Sequence, residues 1–586
     1  MKKYQILKRL SLVSASAFML TFACKDQFLE VPPTASLAKA QLSSKAGVEG
    51  ALIGTYAQLA GKGFSRLSAP NNWVFGSIRG GESNKGTDPG DYSAINPIQR
   101  YEIAPTDGDL NSTWQAKYEG VARANATINL ANGSTELSAS DKTRVIAEAR
   151  FLRGHFYFEL KKLFGSVPYI DETLDYGKGI EKVANTADFW GKIEADFKFA
   201  YDNLPETSSS AGRANKWAAG AYLGKAYLFQ AKYADAKAIF TTVIANGKTT
   251  NGKKYGLVSK FAEIFNAEND NNEEAVFAVQ SAMNTGSVNN ANGFDDLNYP
   301  YNTGSDGPGN CCGFFQPSFS MANAYRVSAD GLPLLSEQAD GTPDYNLAAN
   351  SVKNDYGVSS SAAFTEDADP LDPRIDHTIG RRGIQYLDWI EHPGAGWIRS
   401  QPYAGPYSPK KYIYYKRQEN TLTDGSSWTR GYATMNFNII RFADVLLMAA
   451  EAEIEAGSLA TALGYINQVR TRAANPAGFV KNAKTGANEA NYVISTYDSL
   501  GDQANARKIV RMERLLELAT EGHRFFDLVR WGIANKTLNA YLKYESKWLV
   551  TKFGGASYTD SDALLPIPQA QIDIQGTSIL KQNPGY

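Results

Sequence analysis

The sequence predicts a mostly α-helical fold in which tetratricopeptide-like helix pairs form a scaffold that carries long irregular loops and minor β elements. Three observations predict it. Apolar residues recur at helical spacing over much of the chain. One segment has the spacing of a tetratricopeptide repeat. Two segments rich in Gly, Asn, Asp and Ser, at 64–110 and 281–436, interrupt the helices. The 586 residues are 43% hydrophobic and 21% charged, which is typical of a globular protein.

The N-terminal segment is typical of a lipoprotein signal peptide. Basic residues between Lys2 and Arg9 precede an apolar stretch that is too short to span a bilayer and that ends at Cys24. We therefore expect residues 1–23 to be removed and Cys24 to become the lipidated first residue. A plain secretory signal is the alternative.

The charge of the chain argues against nucleic acid as a partner. Removal of residues 1–23 takes away four positive charges and no negative one, so the net charge falls from −1 to −5. The chain also lacks a basic tract and the cysteine spacing of a zinc finger. Later apolar runs are short, so no second membrane segment is predicted.

Amphipathic segments predict the helices in order. The first four of these segments are residues 37–60, 110–132, 140–165 and 188–204. Residues 215–247 then predict a pair of antiparallel helices. The repeat-like positions of this pair are Leu223, Gly224, Tyr227, Ala236 and Phe240. The small residues of such a pair let the two helices approach closely, although Gly220 stands where the repeat usually has Trp.

Two later segments complete the predicted scaffold. Residues 439–474 predict a second helix pair, with Ala462, Ile466 and Val469 on the inner face of its second helix. Residues 511–532, "RMERLLELATEGHRFFDLVRWG", continue an apolar face that Ile509 begins, with Glu residues at four-residue spacing beside it. A strand is predicted at "AVFAVQ", residues 275–280.

The charged segment 511–532 is either an active site or a structural network. His523 and Asp527 lie four residues apart and could form a general base on one helix face. No nucleophile motif accompanies them, and neither G-x-S-x-G nor H-E-x-x-H occurs in the chain. The spacing also predicts internal ion pairs, Glu521 with Arg524 and Asp527 with Arg530. We therefore favour a paired network between packed helices.

The irregular segments carry the aromatic residues expected of a sugar-binding site. Flat aromatic faces stack on the C–H faces of sugar rings, while Asn, Asp and Arg bind the hydroxyl groups. The alternative for each aromatic residue is that it fixes its loop to the scaffold. The predicted ligand-binding residues are Asn72, Trp73, Arg79, Tyr92, Tyr301, Phe314, Trp389 and Trp397.

The sequence predicts no catalytic residue, no metal site and no cofactor. Two interpretations of the acidic loop 266–274 stay open, a structural calcium site and a solvated turn. Cys311 and Cys312 are adjacent, and Cα atoms about 3.8 Å apart across a trans peptide are closer than normal disulfide geometry allows. A vicinal disulfide and two free thiols both remain open.

Several motifs together resemble the SusD/RagB family of nutrient-binding outer-membrane lipoproteins. They are "CKDQFLEVPP", "YEGVARANATI", "EARFLRGHFYFELKKLFGSVPYI", "DPR" at 372–374, "IIRFADVLLMAAEA", "RMERLLELATEGHRFFDLVRWG" and "LLPIPQAQI". The resemblance covers almost the whole mature chain. It implies one compact helical body with an N-terminal region at 24–265 and a C-terminal region with ligand-binding loops at 266–586. It also implies that the "W-x-x-G" loop that begins at Trp73 faces the ligand.

The resemblance implies a function without catalysis. Such a protein is anchored by lipid at the cell surface, binds a glycan or oligosaccharide, and delivers it to a SusC-like TonB-dependent transporter in the outer membrane. Two alternatives remain from the residues alone. One is a secreted carbohydrate-active enzyme with a carboxylate pair in its loops. The other is a helical-repeat scaffold that binds proteins or peptides.

Overall fold

The computed structural model describes residues 39–62, 65–186, 188–287, 290–309, 311–426, 430 and 432–586. The predicted signal peptide and Cys24 lie outside these residues, so removal of the first and lipidation of the second stay predictions. Among the described residues, no helix has the length and apolar character needed to cross a membrane.

The N-terminal half consists of helices that pack one against the next. They are α1 (Lys39–Leu42), α2 (Lys45–Ala57), α3 (Ile95–Gln99), α4 (Gly108–Gly133), α5 (Ala139–Phe164), α6 (Trp190–Asn203), α7 (Lys216–Phe229) and α8 (Tyr233–Asn246). From α4 to α8 each helix contacts its successor in the chain. The predicted helices therefore form, except that segment 37–60 is divided. Ser44 divides it because its side chain accepts a hydrogen bond from the Gly47 N–H and caps α2.

The tetratricopeptide-like pair is confirmed in α7 and α8. A Cβ atom added at Gly224 would lie 2.5 Å from Cε1 of Phe240, so only glycine permits this approach of the two helices. A Cβ atom added at Gly220 would likewise lie 2.9 Å from the Val243 side chain and 3.0 Å from the Tyr201 ring. The glycine in place of the usual Trp therefore accommodates the preceding helix α6.

The C-terminal half adds further helices and short strands. Its helices are α9 (Phe319–Ala324), α10 (Ile375–Thr378), α11 (Gln401–Ala404), α12 (Phe442–Ala456), α13 (Leu459–Ala473), α14 (Gln503–Leu518), α15 (Arg524–Arg530), α16 (Ala534–Glu545), α17 (Val550–Phe553) and α18 (Gln569–Gln575). The strands among the described residues are β1 (Ser83–Gly86), β2 (Val167–Pro168), β3 (Asn185–Thr186), β4 (Ala275–Val279), β5 (Phe314–Pro317), β6 (Ile379–Gly380), β7 (Ser408–Pro409), β8 (Thr423–Asp424), β9 (Tyr432–Ala433) and β10 (Phe437–Arg441).

The strands form small antiparallel pairs, two of which connect distant parts of the sequence. β4 pairs with β10, and Phe437 lies opposite Val279. This pairing corrects the prediction for residues 439–441, which form strand rather than helix before α12 begins. β1 pairs with β5, with Gly86 opposite Phe314. The hydrophobic core includes buried residues from both predicted regions, and the boundary between residues 265 and 266 stays a prediction.

The charged segment 511–532 forms a buried ion network, in agreement with the predicted paired network between packed helices. Glu517 on α14 is fully buried, and its carboxylate contacts Arg441 at 2.6 Å, Arg374 at 3.2 Å and also Arg472. Burial alone would raise the pKa of Glu517, but the three guanidinium groups hold it well below its usual range.

The predicted ion pairs within the charged segment form only in part. Asp527 contacts Arg530 at 2.8 Å, as predicted. Glu521 does not pair with Arg524, because α14 ends at Leu518 and the helical spacing does not continue. Glu521 contacts Arg441 at 2.7 Å and Lys411 at 2.8 Å instead.

Candidate functional site

Trp73 lies inside the molecule. It begins a one-turn π-helix, Trp73–Ile78, and is 1% exposed. Its ring packs edge-on against Phe314 and Phe315, with centroids 6.4 and 5.6 Å away. The segment is held close to the charged signature, because a Cβ atom at Gly76 would lie 2.0 Å from the carbonyl oxygen of Gly522. Trp73 therefore has no face open for stacking on a sugar in this structure, in contrast to the expectation.

Asn72 and Arg79 are buried with it. The Asn72 amide donates to the Glu159 carboxylate at 3.1 Å. Arg79 donates to the carbonyl oxygen of Asp562, and its guanidinium carbon lies 4.1 Å from the ring centre of Phe525. Both side chains thus fix the "W-x-x-G" segment to the scaffold, which differs from the ligand-facing position that the resemblance implies.

Trp389 and Trp397 also pack inward. The indole N–H of Trp389 donates to the Tyr414 carbonyl at 3.2 Å. The Trp397 ring packs at 90° against Tyr386, with centroids 5.4 Å apart. Both tryptophans are under 10% exposed, so they support their loops rather than present a face to solvent.

The structure brings Tyr92, Tyr301 and Phe314 together where three irregular loops meet. Phe314 is fully buried on β5 and lies beneath Tyr92, with ring centroids 6.4 Å apart. Tyr92 and Tyr301 are half-buried. The Tyr92 hydroxyl donates to Asp109 at 2.8 Å, and the backbone N–H of Tyr301 donates to the Trp397 carbonyl at 3.0 Å. The backbone of the segment that contains buried Trp397 thus fixes the backbone of Tyr301.

Charged side chains surround these two tyrosines. Arg399 lies with its guanidinium carbon 5.3 Å from the ring centre of Tyr301 and contacts Asp88 at 2.8 Å and also Asp91. The side chains of Arg399, Asp88 and Asp91 are 31%, 29% and 33% exposed. We call the surface formed by Asp88, Asp91, Tyr92, Tyr301 and Arg399 the loop patch.

Lys85 supports the loop patch from below. Its ammonium donates to the carbonyl oxygens of Asp88 at 2.8 Å and Asp91 at 2.6 Å. Burial lowers the pKa of Lys85 to about 8, although the two neighbouring carboxylates act in the opposite direction. The pKa of Asp88 is lowered despite desolvation, because the N–H groups of Asp91 and Gly90 and the Arg399 guanidinium favour its charged form. Asp88 therefore presents an ionised carboxylate at neutral pH.

The sequence reasoning missed the polar part of the loop patch. Asp88 and Asp91 flank a turn four and one residues before Tyr92, and Arg399 follows Trp397 by two residues. Their proximity to predicted aromatic residues was the available signal. Nothing in the sequence showed that Arg399 would reach the loop around residue 90 from more than 300 positions away.

A vicinal disulfide adjoins the loop patch. The sulfur atoms of Cys311 and Cys312 are bonded, across a cis peptide. This structure therefore contains the disulfide rather than free thiols. Cys311 is half-buried and Cys312 is buried, and a Cβ atom at the next residue, Gly313, would lie 3.2 Å from Cβ of Tyr301. The disulfide thus belongs to the loop that carries Tyr301.

No group of three metal-ligating side chains converges among the residues that the structure describes. In the acidic loop 266–274, Glu268 contacts Arg417 at 3.0 Å, and Asp270 accepts hydrogen bonds from the backbone N–H of Asn436. These carboxylates are occupied by protein donors.

A large cavity lies away from the loop patch, against helix α4. Its volume is about 730 Å³. Its lining comes from the segment 58–62 after α2, one face of α4, the segment 168–181 and the C-terminal helix α18. We call it the scaffold cleft. No predicted ligand-binding residue lines it.

Comparison with known proteins identifies the family. A model described as "SusD family" matches residues 273–586, and one described as "Starch-binding associating with outer membrane" matches residues 27–228. The chain belongs to the SusD family. Among its relatives, the SusD-like protein P25 of Formosa agariphila is 25% identical over 87% of this chain and 88% of the relative.

Solved structures of SusD-like proteins share the fold. A "Laminarin binding SusD-like protein" has a TM-score of 0.63 at 24% identity and covers 93% of this chain and 100% of its own. The surface glycan-binding protein A of Bacteroides thetaiotaomicron, in complex with laminarihexaose, has a TM-score of 0.61 at 18% identity. The match covers 92% of this chain and 99% of that protein. These likenesses confirm the predicted helical, tetratricopeptide-like fold class.

Proposed function

We propose that this SusD-family chain is a non-catalytic cell-surface lipoprotein that binds an oligosaccharide at the loop patch and delivers it to a SusC-like TonB-dependent outer-membrane transporter. The observation that carries the proposal is the pair of half-buried tyrosines, Tyr92 and Tyr301, bordered by partly exposed carboxylates and Arg399. The glycan-binding relatives named above support the choice of a glycan as ligand.

The chemistry of the loop patch suits an oligosaccharide. The phenol rings supply apolar surface for the C–H faces of sugar rings. The carboxylates accept hydrogen bonds from hydroxyl groups, and the guanidinium donates to them. Arg399 already holds Asp88, Asp91 and Tyr301 in place, so little side-chain freedom is lost on binding. Because the patch is shallow, we expect micromolar to millimolar affinity for the protein alone.

The carboxylates of the loop patch do not suit glycosidase chemistry. A glycosidase needs one carboxyl group that keeps its proton near neutral pH and a second that is ionised. Asp88 and Asp91 both contact Arg399, and the pKa of Asp88 is lowered rather than raised. This supports binding without turnover.

Anchoring and delivery complete the proposal. Lipidation at Cys24 with more than one acyl chain would hold the protein stably in the outer membrane. A transporter beneath it would enclose a ligand that the open patch binds only weakly. The family described as associating with the outer membrane supports this location.

The test is a glycan array on soluble protein that begins after Cys24. We expect binding to one class of polysaccharide and a loss of about 10-fold or more in affinity for Tyr301→Ala, which corresponds to about 1.4 kcal/mol. Tyr415→Ala is the matched control. Tyr415 is also half-buried and has an arginine, Arg417, 4.2 Å from its ring centre, but it lies outside the patch.

The two variants separate the outcomes. Equal loss in both would point to general loop damage and would count against the loop patch as the site. Absence of binding to every glycan by a folded protein would contradict oligosaccharide binding. Cleavage of any bound glycan into shorter sugars would contradict the proposal that the protein is not an enzyme.

A further inference from the structure

We propose that the scaffold cleft is a second oligosaccharide-binding site, specific for neutral sugars and separate from the loop patch. The inference rests on the proposed function for its ligand class. Its own evidence is the shape, lining and charge of the cleft.

The cleft has the size and concave form of a ligand site. Its volume of about 730 Å³ is roughly twice that of the apolar cavity of about 350 Å³ beside α2. Small-molecule sites typically occupy about 300–1,000 Å³ and combine aromatic walls with a few polar groups. Four separate segments of the chain converge on it, so its shape is set by the scaffold and not by one loop.

Aromatic rings form one wall of the cleft. Trp114 and Tyr118 lie on successive turns of α4, with centroids 5.0 Å apart, and Tyr176 faces them from the segment after β2. Tyr118 is held by its hydroxyl, which donates to the Pro168 carbonyl at 2.6 Å. Tyr176 is 41% exposed, and its hydroxyl accepts a hydrogen bond from Asn125 at 3.0 Å. Two fixed tyrosines at an open cleft suit stacking on sugar rings.

Amide side chains supply the polar partners. The cleft is lined by Gln58, Gln115, Gln571 and Gln575. An amide both donates and accepts hydrogen bonds, as a sugar hydroxyl does. The Oε1 atom of Gln575 is buried and has no hydrogen-bond partner within the described residues. Gln575 therefore keeps an unused acceptor in the wall of the cleft.

The charges at the cleft cancel, which favours a neutral ligand. Lys62 and Arg123 oppose Glu119 and Glu181 in the lining. Arg123 is already paired with Glu119 at 2.8 Å, and the Lys62 ammonium donates to Gln115 at 2.9 Å. Because two basic and two acidic side chains leave the lining without net charge, the cleft offers no net attraction to acidic sugars.

The cleft and the loop patch lie on different faces of α4. Asp109 binds Tyr92 of the patch, and Tyr118 in the cleft follows nine residues later. At 3.6 residues per turn, nine residues make about two and a half turns, so the two side chains point in opposite directions. A ligand in one site does not occupy the other.

The test measures stoichiometry by titration calorimetry on the soluble full chain with neutral hexasaccharides: laminarihexaose, maltohexaose, xylohexaose and mannohexaose. For the sugar that binds, we expect two sites in the wild type. The double variant Tyr176→Ala/Gln575→Leu should lose one site, with at least about 10-fold weaker binding there. Tyr301→Ala should lose the other.

Matched controls come from the same two segments. Leu174→Ala removes an exposed side chain two residues before Tyr176, and Gln569→Leu changes an amide of α18 that does not line the cleft. Both should keep two sites. A single site that Tyr301→Ala abolishes and the cleft variant leaves intact would overturn the inference but not the proposed function. Absence of binding by the wild type would overturn both. Unchanged sugar binding with loss of transporter co-purification in the cleft variant would show a protein-docking surface instead.

Discussion

At the scale of single residues, Glu517 connects three elements of the scaffold. Its carboxylate contacts Arg374, Arg441 and Arg472, which come from a loop, a strand and a helix that are distant in sequence. All four side chains are almost fully buried. A buried charge of this kind is stabilising only while every partner is present, because desolvation is costly for an unpaired ion.

We expect Glu517→Gln to destabilise the protein by about 3–5 kcal/mol, because it removes one buried carboxylate that neutralises three buried guanidinium groups. Chemical denaturation measures the change. The control is Glu206→Gln, which removes an exposed pair with Lys248, with side chains 48% and 42% exposed. It should cost about 1 kcal/mol or less. Similar costs for the two variants would show that the network contributes little.

Glu82 gives a pH-dependent prediction. It is buried beside the charged signature, where it accepts a hydrogen bond from the Thr520 N–H at 3.1 Å. Burial raises its pKa to about 7. The folded state therefore holds this proton more tightly than the unfolded state does. The resulting stabilisation is fully present below the unfolded-state pKa and is lost as the pH rises through about 7.

Because Gln resembles the protonated acid, Glu82→Gln should lose less stability than the wild type between about pH 5 and about pH 8. Thermal unfolding midpoints across this range measure it. Glu102→Gln, at a side chain that is 50% exposed, is the control. A difference in unfolding midpoint between Glu82→Gln and the wild type that is the same at every pH would contradict the raised pKa of Glu82.

Prediction at the residue scale was limited by burial. Composition and loop context identified aromatic residues in the irregular segments, but they do not show which ring faces outward. Trp73, Trp389 and Trp397 are large rings that fill loop interiors, whereas smaller Tyr92 and Tyr301 remain half-buried at the surface. Their exposure depends on tertiary contacts such as that between Trp397 and Tyr301.

At the scale of elements, glycine spacing determines how the helix pairs pack. Gly224→Ala would place a methyl group 2.5 Å from the Phe240 ring. We expect it to destabilise the protein by about 1–3 kcal/mol through overpacking. Gly464→Ala, within α13 of the second pair, meets nothing within 4 Å. It should stabilise by about 0.5–1 kcal/mol, because alanine favours the helix. Equal effects in a thermal unfolding assay would contradict the close packing of α7 and α8.

Most elements were predictable because their signals are local. Helical periodicity and caps such as Asp107 before α4 and Ser138 before α5 lie within a few residues of each helix. Residues 439–441 were predicted wrongly because their strand pairs with β4, more than 150 residues earlier. A short apolar run does not show whether it will find such a partner.

At the scale of the whole molecule, the location depends on Cys24. We expect Cys24→Ala to move the protein from the membrane fraction to the soluble fraction of a lipoprotein-processing host, because lipid is its only predicted anchor. Lys25→Ala, at the adjacent position, is the control and should stay with the membrane. A soluble wild-type protein would support the plain secretory signal instead.

The family membership was predictable from motifs spread along the chain, whereas the scaffold cleft was not. Its lining is assembled from residues around 58, 114–123, 168–181 and 571–575. Each of these segments looks like an ordinary helix or turn in sequence. Only the fold places the three aromatic rings and four amides around one cavity.

The measurement that tests oligosaccharide capture most directly is a crystal structure of the soluble chain with the oligosaccharide that the glycan array selects. We expect a sugar ring in van der Waals contact with Tyr301, about 4 Å from its ring plane, with hydroxyl groups hydrogen-bonded to Asp88, Asp91 or Arg399. A bound sugar that leaves the loop patch empty at saturating ligand would contradict the patch as the capture site.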